Sequence, residues 1–425
     1  MIQIPVIHPI EEYVFPKMEK CMLSNKTPYY VIPYGPEEMV RVDCVIEAGT
    51  LQQAKFFVAS FTHRLQREGT LHHSSKEIAE LLDFYGASFL SSTMECHTVF
   101  TLLTLPKHLS VLLPLFREIL FEPTFPKDEF ELLRKSEKQS FELNESKVTT
   151  MAHRGLKRCI YGAEGTLGKA PQCADYDRID LDDIRNFYAT YCSIDYCTFF
   201  LSGNASPTVR KELDACFGQL KRNKEARLPL TPYVEYPSAD RKLYIEKANS
   251  VQSAVFVGKR LFPLSHPDFH KVSILNTVLG GYFGSRLMTN IREEKGYTYG
   301  INSALRRSSK GVLSVVATQT ATQYVQPLLI ELYKEMDRLC EELVPEEELN
   351  TVKNYLLGDM LRSVDGSFSI VDAYIGLTLE YVEVCDFYGD KLKTIQTITS
   401  QDLLAVAQQY FRKEEYYEVI AGKRE

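Results

Sequence analysis

The chain has 425 residues, of which 44% are hydrophobic and 25% carry a charge, and its formal net charge is −7. This length predicts two or more domains, because a single hydrophobic core stops growing at roughly 250–300 residues. The acidic balance and the lack of a polybasic block argue against nucleic acid or an anionic membrane surface as the main partner. No run approaches the roughly 18 apolar residues of a membrane-spanning helix.

The amino terminus and the cysteines favour a cytoplasmic protein. Residues 1–12 lack the basic segment and the continuous apolar segment of a signal peptide. The ten cysteines are scattered and form no C-x-x-C pair, and Cys44 and Cys197 lie in strand-like contexts. We therefore expect reduced, buried thiols, although disulfides remain an alternative.

The predicted elements follow the same order in both halves of the chain. An extended apolar strand is predicted at 39–47 and again at 251–257. A long amphipathic helix is predicted at 107–120 and again at 322–341. Strands mixed with long helices, without a regular βαβ rhythm, favour helices packed on a largely antiparallel sheet. The predicted fold class is therefore α+β.

The two halves also end alike, which indicates an internal duplication. Each ends with a capped amphipathic helix, followed by a β-rich strand that closes on a glycine. An offset of 219 superposes Asp183 on Asp402 and Gly203 on Gly422. The predicted domains are residues 1–220 and 240–425, joined by a charged, proline-spaced linker at 221–239.

The most informative stretch lies in the second half. It opens with a turn that contains Gly280, Gly281 and Gly284, and an apolar-periodic helix follows. Gly296 stands where the end of a helix commonly adopts a left-handed backbone. The next predicted element is a strand at 297–305. The three turn glycines either serve turn geometry alone or let the backbone approach a bound peptide closely.

Two strong hydrogen-bond donors fall in this stretch. Arg292 lies near the predicted helix end, and Tyr299 follows seven residues later on the predicted strand. An arginine and a phenol in these places can meet over a peptide carbonyl. The alternative is structural, since such a helix end is usually solvated and strand tyrosines are usually half-buried.

The stretch resembles the signature in the second half of the insulinase/pitrilysin metallopeptidases, a family that includes the mitochondrial processing peptidases. Residues 81–89 and 166–169 resemble other segments of that family, and the duplicated halves fit nearly the whole chain. The resemblance implies two similar α+β domains and small-chain members that work as paired subunits. It also implies a zinc site made by H-x-x-E-H on a helix, with a third ligand from a later glutamate.

The zinc motif is degenerate in this chain. In the family the motif runs into a Gly-Thr pair, which is residues 69–70 here. Counting back from that pair places the first histidine at Ser60, the glutamate at His63 and the second histidine at Arg64. A serine hydroxyl is a poor zinc ligand, and a guanidinium repels a dication.

The third zinc ligand is also missing. Counts from Arg64 forward and from Leu156 back both place it at Ser140. Glu137 and Glu142 are close in sequence, but on a helix of 3.6 residues per turn we expect them to point elsewhere. We therefore predict no metal site at these positions.

Other histidines offer no clear metal site. His63, His72 and His73 cluster in sequence, and Cys96 and His97 lie close by. Adjacent residues on a strand face opposite ways, so neither the pair 72–73 nor the pair 96–97 chelates a metal by itself. We expect the 72–73 pair to lie in an exposed loop.

The resemblance implies a division of labour between two subunits. Some small bacterial members split the site, so that one subunit carries the zinc motif and the other carries the arginine and tyrosine. This chain is therefore predicted to be the non-zinc subunit, with zinc only in a homologous partner. The expected partners are a peptide or unfolded protein and the zinc-motif subunit, with a homodimer possible in isolation. The alternatives are an inactive scaffold or peptide-binding protein and a hydrolase with some other catalytic constellation.

Overall fold

The computed structural model describes residues 14–32, 37–223 and 232–424. Within these residues the chain forms two sheet-plus-helix domains, which confirms the predicted α+β class and the largely antiparallel sheets. The expectation about a signal peptide at residues 1–12 lies outside the described residues, as does the linker segment 224–231.

The first sheet has the strand order β1-β2-β6-β3-β5-β4. Its β2 and β6 are parallel, and all its other neighbouring strands are antiparallel. Its strands are β1 (Glu19–Met22), β2 (Pro28–Val31), β3 (Val40–Ile46), β4 (Ser88–Thr93), β5 (Thr98–Thr104) and β6 (Cys197–Gly203).

The second sheet repeats this plan, with the order β7-β11-β8-β10-β9. Its β7 and β11 are parallel and the other pairs antiparallel, so β7, β11, β8, β10 and β9 correspond to β2, β6, β3, β5 and β4. Its strands are β7 (Lys242–Glu246), β8 (Gln252–Arg260), β9 (Ile301–Ser308), β10 (Gly311–Ala321) and β11 (Tyr417–Gly422).

The α-helices pack on the faces of these sheets. Those of the first half are α1 (Val58–Leu65), α2 (Ser75–Phe84), α3 (Leu109–Phe121), α4 (Lys127–Glu145), α5 (Val148–Tyr161), α6 (Leu181–Tyr191) and α7 (Pro207–Phe217). Those of the second half are α8 (Phe269–Asn276), α9 (Val325–Glu341), α10 (Glu346–Arg362), α11 (Ser367–Thr378), α12 (Val384–Thr397) and α13 (Ser400–Tyr410).

The central strands β3 and β8 are buried along nearly their whole length, because helices cover both faces of each sheet. One face of the first sheet packs against helices of its own half, including α1, α3 and α6. One face of the second sheet packs likewise against α8, α9 and α13. These two hydrophobic cores account for most of the buried apolar side chains.

The opposite face of each sheet is covered by a helix from the other half. Helix α5 packs on β8 and β11 so closely that a Cβ at Gly155 would lie 2.8 Å from Val419 Cγ1. Helix α11 packs on the first sheet, where Ile370 and Val371 join Phe200 in one buried cluster. The two halves therefore exchange one helix each.

The duplication extends beyond the ends of the two halves, from which it was predicted. Helices α6 and α13 both begin with a capping box, in which Asp183 and Asp402 occupy the third helical position. The same offset of 219 relates Val148, where α5 begins, to Ser367, where α11 begins. The exchanged helices are thus counterparts in the repeat.

The described part of the predicted linker runs along the end of α5. Tyr236 N donates to Tyr161 O at 2.9 Å, and Ser238 N donates to Cys159 O at 2.9 Å. All ten cysteines are free. Within the described ranges, no helix combines the length and apolar character that a bilayer crossing requires.

Candidate functional site

Two π-helical segments frame the glycine-rich turn. Helix α8 continues into a π-helical segment at Thr277–Gly281, in which the backbone kinks at Gly280, and a second π-helix spans Met288–Glu294. Apolar side chains of both segments, among them Leu279 and Ile291, are buried against the second sheet. π-helical turns are rare and often occur at functional sites. The predicted helix therefore exists, but in a wider form than the apolar periodicity suggested.

The three turn glycines have different surroundings. A Cβ at Gly280 would lie 2.7 Å from Ser303 N on β9, so the close approach of the first π-helix to that strand requires a glycine there. Asn276 reinforces this contact, since its Nδ2 donates to Ser303 O at 3.1 Å. Gly281 and Gly284 are exposed. An added Cβ would meet the side chain of Thr277 and, at 3.4 Å, the backbone oxygen of Asn276 in the first case, and the side chain of Tyr282 in the second.

The end of the second π-helix matches the predicted cap, whereas the predicted strand begins later. Gly296 has φ +66°, which is the left-handed conformation expected of it. Strand β9 begins at Ile301, so the prediction that Tyr299 lies on a strand was wrong. Tyr299 lies in the bend before the strand. Thr298 Oγ1 fixes this bend, since it donates to Gln319 O at 2.6 Å and accepts from Gly300 N at 3.2 Å.

The structure brings Arg292 and Tyr299 together and adds a third residue. The guanidinium carbon of Arg292 lies 5.4 Å from the centre of the Tyr299 ring and 4.7 Å from the centre of the Phe283 ring. Both distances are within the range of a cation–π interaction. Tyr299 is 92% exposed and Phe283 is 62% exposed. The guanidinium makes no hydrogen bond or ion pair with another described residue, so its donors face solvent.

Partly buried polar contacts hold the backbone that carries Arg292. Arg286 donates through both Nε and Nη2 to the carboxylate of Glu348, at 2.8 Å in each case. Asn290 Nδ2 donates to Glu331 at 3.0 Å and to Glu335 at 2.7 Å. These bonds tie the turn and the second π-helix to α10 and α9. The half-buried Arg292 side chain therefore projects from a fixed support.

The degenerate zinc-motif positions lie on α1, beside the first sheet. Ser60 Oγ donates to Phe57 O at 3.0 Å, so its hydroxyl proton is engaged with the backbone. Arg64 is exposed and forms an ion pair with Glu137 on α4, with 2.6 Å between Nη1 and Oε1. A guanidinium paired with a carboxylate thus lies where the resemblance implies a metal ligand. These residues do not fit a zinc ion.

His63 is completely buried and cannot act on a ligand in solvent. Its ring packs against Phe100 and Phe187, with centroid distances of 5.3 and 5.8 Å. Its Nδ1 lies 2.9 Å from Gln66 Oε1, and because a carbonyl oxygen only accepts, Nδ1 carries the proton. Burial lowers the pKa of His63 to about 4, although the Gln66 hydrogen bond acts in the opposite direction. The imidazole is therefore neutral at pH 7.

The helix that should supply the third ligand is α4. Ser140 is exposed on that helix. The expectation that Glu137 points elsewhere was wrong, because this carboxylate faces α1 and contacts Arg64. It lies one turn before Ser140, so the two residues share a helical face. Glu142 faces another way and accepts a bond from Cys173 Sγ at 3.1 Å.

The remaining histidines near this region have carboxylate partners. His73 Nδ1 lies 2.8 Å from Glu118 Oε2, and His72 Nε2 lies 3.4 Å from Glu122 Oε2. His72 is exposed as predicted, whereas His73 is half-buried. Across the ranges that the structure describes, no three His, Cys, Asp or Glu side chains are placed to hold a metal ion.

Sequence reasoning missed two features of these sites. The first is Phe283, whose position inside the glycine-rich turn was the available signal. The second is the contact between Glu137 and Arg64, which depends on how two helices cross. The crossing is not encoded in either helix alone.

The chain matches two family models, one in each half. Residues 30–166 match the model described as Insulinase (Peptidase family M16), and residues 178–356 match the model described as Peptidase M16 inactive domain. The matched segments contain all the degenerate zinc positions and the Arg292–Tyr299 pair.

Two curated relatives and one solved structure show the same similarity. The chain is 22% identical over 316 residues to "Uncharacterized zinc protease YmxG" of Bacillus subtilis, covering 73% of this chain and 75% of that protein. It is 24% identical over 338 residues to "Non-peptidase homolog YmxG" of Helicobacter pylori, covering 76% of each. The crystal structure of a peptidase M16 inactive domain from Pseudomonas fluorescens superposes with a TM-score of 0.85 at 20% identity, covering 96% of this chain and 98% of that one.

Proposed function

The chain belongs to the M16 peptidase family but lacks the residues of a zinc site, and we propose that it is the non-zinc subunit of a two-component zinc peptidase. In this proposal a homologous partner supplies the zinc site. This chain supplies Arg292 and Tyr299, which donate hydrogen bonds to the peptide while its carbonyl oxygen gains negative charge. The substrate is a peptide or an unfolded protein.

One observation carries the proposal. The Arg292 guanidinium is held beside the exposed Tyr299 ring, and it has no hydrogen-bond partner among the described residues. An arginine with a structural role normally donates its N–H groups to neighbouring carboxylates or carbonyls, as Arg286 does to Glu348. Free donors on a fixed support suit a group that binds a passing ligand.

A second candidate is an inactive scaffold or peptide-binding protein of the same fold. The name of the H. pylori relative, a non-peptidase homologue, favours it. The two candidates differ in whether a zinc-bearing partner gains activity when this chain is added. We also propose a cytoplasmic location, which the ten free cysteines support.

The test is reconstitution with a zinc-motif homologue from the same genome. Each protein alone should leave a fluorogenic peptide library uncleaved, and the mixture should cleave it. In the mixture, Arg292→Ala and Tyr299→Phe should each lower kcat/KM, on the order of 10²–10³-fold for loss of one transition-state donor.

Two exposed residues of the same chemical types serve as controls. Arg306 lies on β9 and is exposed, and Tyr381 is 92% exposed, as Tyr299 is. Arg306→Ala and Tyr381→Phe should leave kcat/KM unchanged. If the mixture stays inactive while peptide still binds this chain, the scaffold function replaces the proposed one.

A further inference from the structure

Phe283 is the third member of the Arg292 site, and neither the resemblance nor the matched families assign it a role. Its ring centre lies 4.7 Å from the Arg292 guanidinium carbon, which is closer than the 5.4 Å of Tyr299. A single exposed apolar side chain is common on protein surfaces and needs no explanation. An exposed phenylalanine that packs on a cation with free donors is a different case.

We propose that Phe283 is a positioning residue, which holds the Arg292 side chain in the orientation that presents its donors to the substrate. An arginine side chain has several rotatable bonds, and fixing it in one orientation costs rotamer entropy. A ring packed on the guanidinium leaves the in-plane N–H groups free to donate. The ring therefore restricts the side chain without using its donors.

The local backbone explains why Phe283 can do this. It lies between the two π-helical segments, next to the exposed Gly284, and the preceding residue Tyr282 packs on Tyr355 with centroids 4.9 Å apart. The neighbouring aromatic residue is thus directed toward α10, while Phe283 is directed toward Arg292. The turn thus places two consecutive rings against two different elements, α10 and the second π-helix.

The first experiment needs no partner and no activity. In ¹⁵N-labelled protein, ring currents should shift the Arg292 Nε–Hε signal upfield, and Arg292→Lys assigns that signal by its loss. Phe283→Leu should move the signal toward the position of free arginine, whereas Phe283→Tyr should retain it. Phe84→Leu is the matched control, because Phe84 is also an exposed phenylalanine and lies on α2 of the first half. An Arg292 signal that ignores Phe283→Leu overturns the proposal.

The second experiment rests on the proposed function and uses the reconstituted mixture. One exposed cation–π contact is worth about 0.5–1 kcal/mol, so Phe283→Leu should lower kcat/KM about 2–5-fold. In an Arg292→Ala background the same change should have no further effect. An equal loss in both backgrounds means that Phe283 contacts the substrate directly, which contradicts a positioning role. A mixture without activity refutes the proposed function, and the NMR result then decides the role of Phe283 alone.

Discussion

Replacing His63 should remove part of the acid sensitivity of this protein. His63 is fully buried among aromatic side chains, and burial lowers its pKa from 6.5 to about 4. Between these two values the unfolded chain binds a proton that the folded chain excludes. The free energy of unfolding therefore falls as the pH falls from 6.5 to 4, by about 1.4 kcal/mol per pH unit. From pH 7.5 to pH 5 the loss comes to about 2 kcal/mol.

The variant His63→Leu keeps an apolar side chain in the core and cannot bind a proton. It leaves Gln66 Oε1 without its partner at 2.9 Å, which costs about 1–3 kcal/mol at every pH. The informative quantity is therefore the change between pH 7.5 and pH 5, not the absolute stability. That change should be smaller in the variant than in the wild type by about 2 kcal/mol.

Urea denaturation at both pH values, followed by circular dichroism, measures this change. His72→Gln is the matched control, because it removes an exposed imidazole from the loop that follows the same helix. It should retain the wild-type response to pH. If His63→Leu loses as much stability on acidification as the wild type, His63 is not the buried neutral imidazole described above.

Three further changes test other parts of the structure. Gly280→Ala should unfold more readily, by about 1–3 kcal/mol, because its Cβ would meet the β9 backbone, whereas Gly284→Ala should be nearly neutral by thermal denaturation. Asp43 is buried beside Arg41, and burial raises its pKa to about 6. Protonation of Asp43 thus stabilises the folded protein fully below pH 4, and this stabilisation is lost as the pH rises through 6. Asp43→Asn removes this gain on acidification, so the free energy of unfolding in urea should fall more steeply toward low pH in the variant than in the wild type. Arg64→Ala breaks a partly exposed ion pair and should lower the free energy of unfolding by under about 1 kcal/mol. Elemental analysis of the purified wild type should find no stoichiometric zinc.

The sequence identified most residues of the site, but it did not predict their full geometry. Residue identities were enough to place Arg292, Tyr299 and Gly296 in one stretch, because caps and turns are local. The strand boundary before Ile301 was missed, because Tyr297 and Tyr299 have strand propensity. Hydrogen bonds to the neighbouring strand β10, among them those of Thr298 to Gln319 and of Thr320 to Tyr297, hold the two tyrosines in a bend. Side-chain contacts between separate elements set such details.

The exchange of helices between the two halves is a feature that the sequence patterns did not predict. The repeat at an offset of 219 was readable because capped helices and glycine-ended strands are local patterns, and it extends to the starts of α5 and α11. An amphipathic face says that a helix is buried, but not which sheet buries it. The close packing of Val419 and Ile245 on α5 requires a glycine at 155, and these two residues lie in the other half of the chain. Two halves produced separately, divided within the proposed linker at 221–239, would therefore each expose the sheet face that the other half's helix covers.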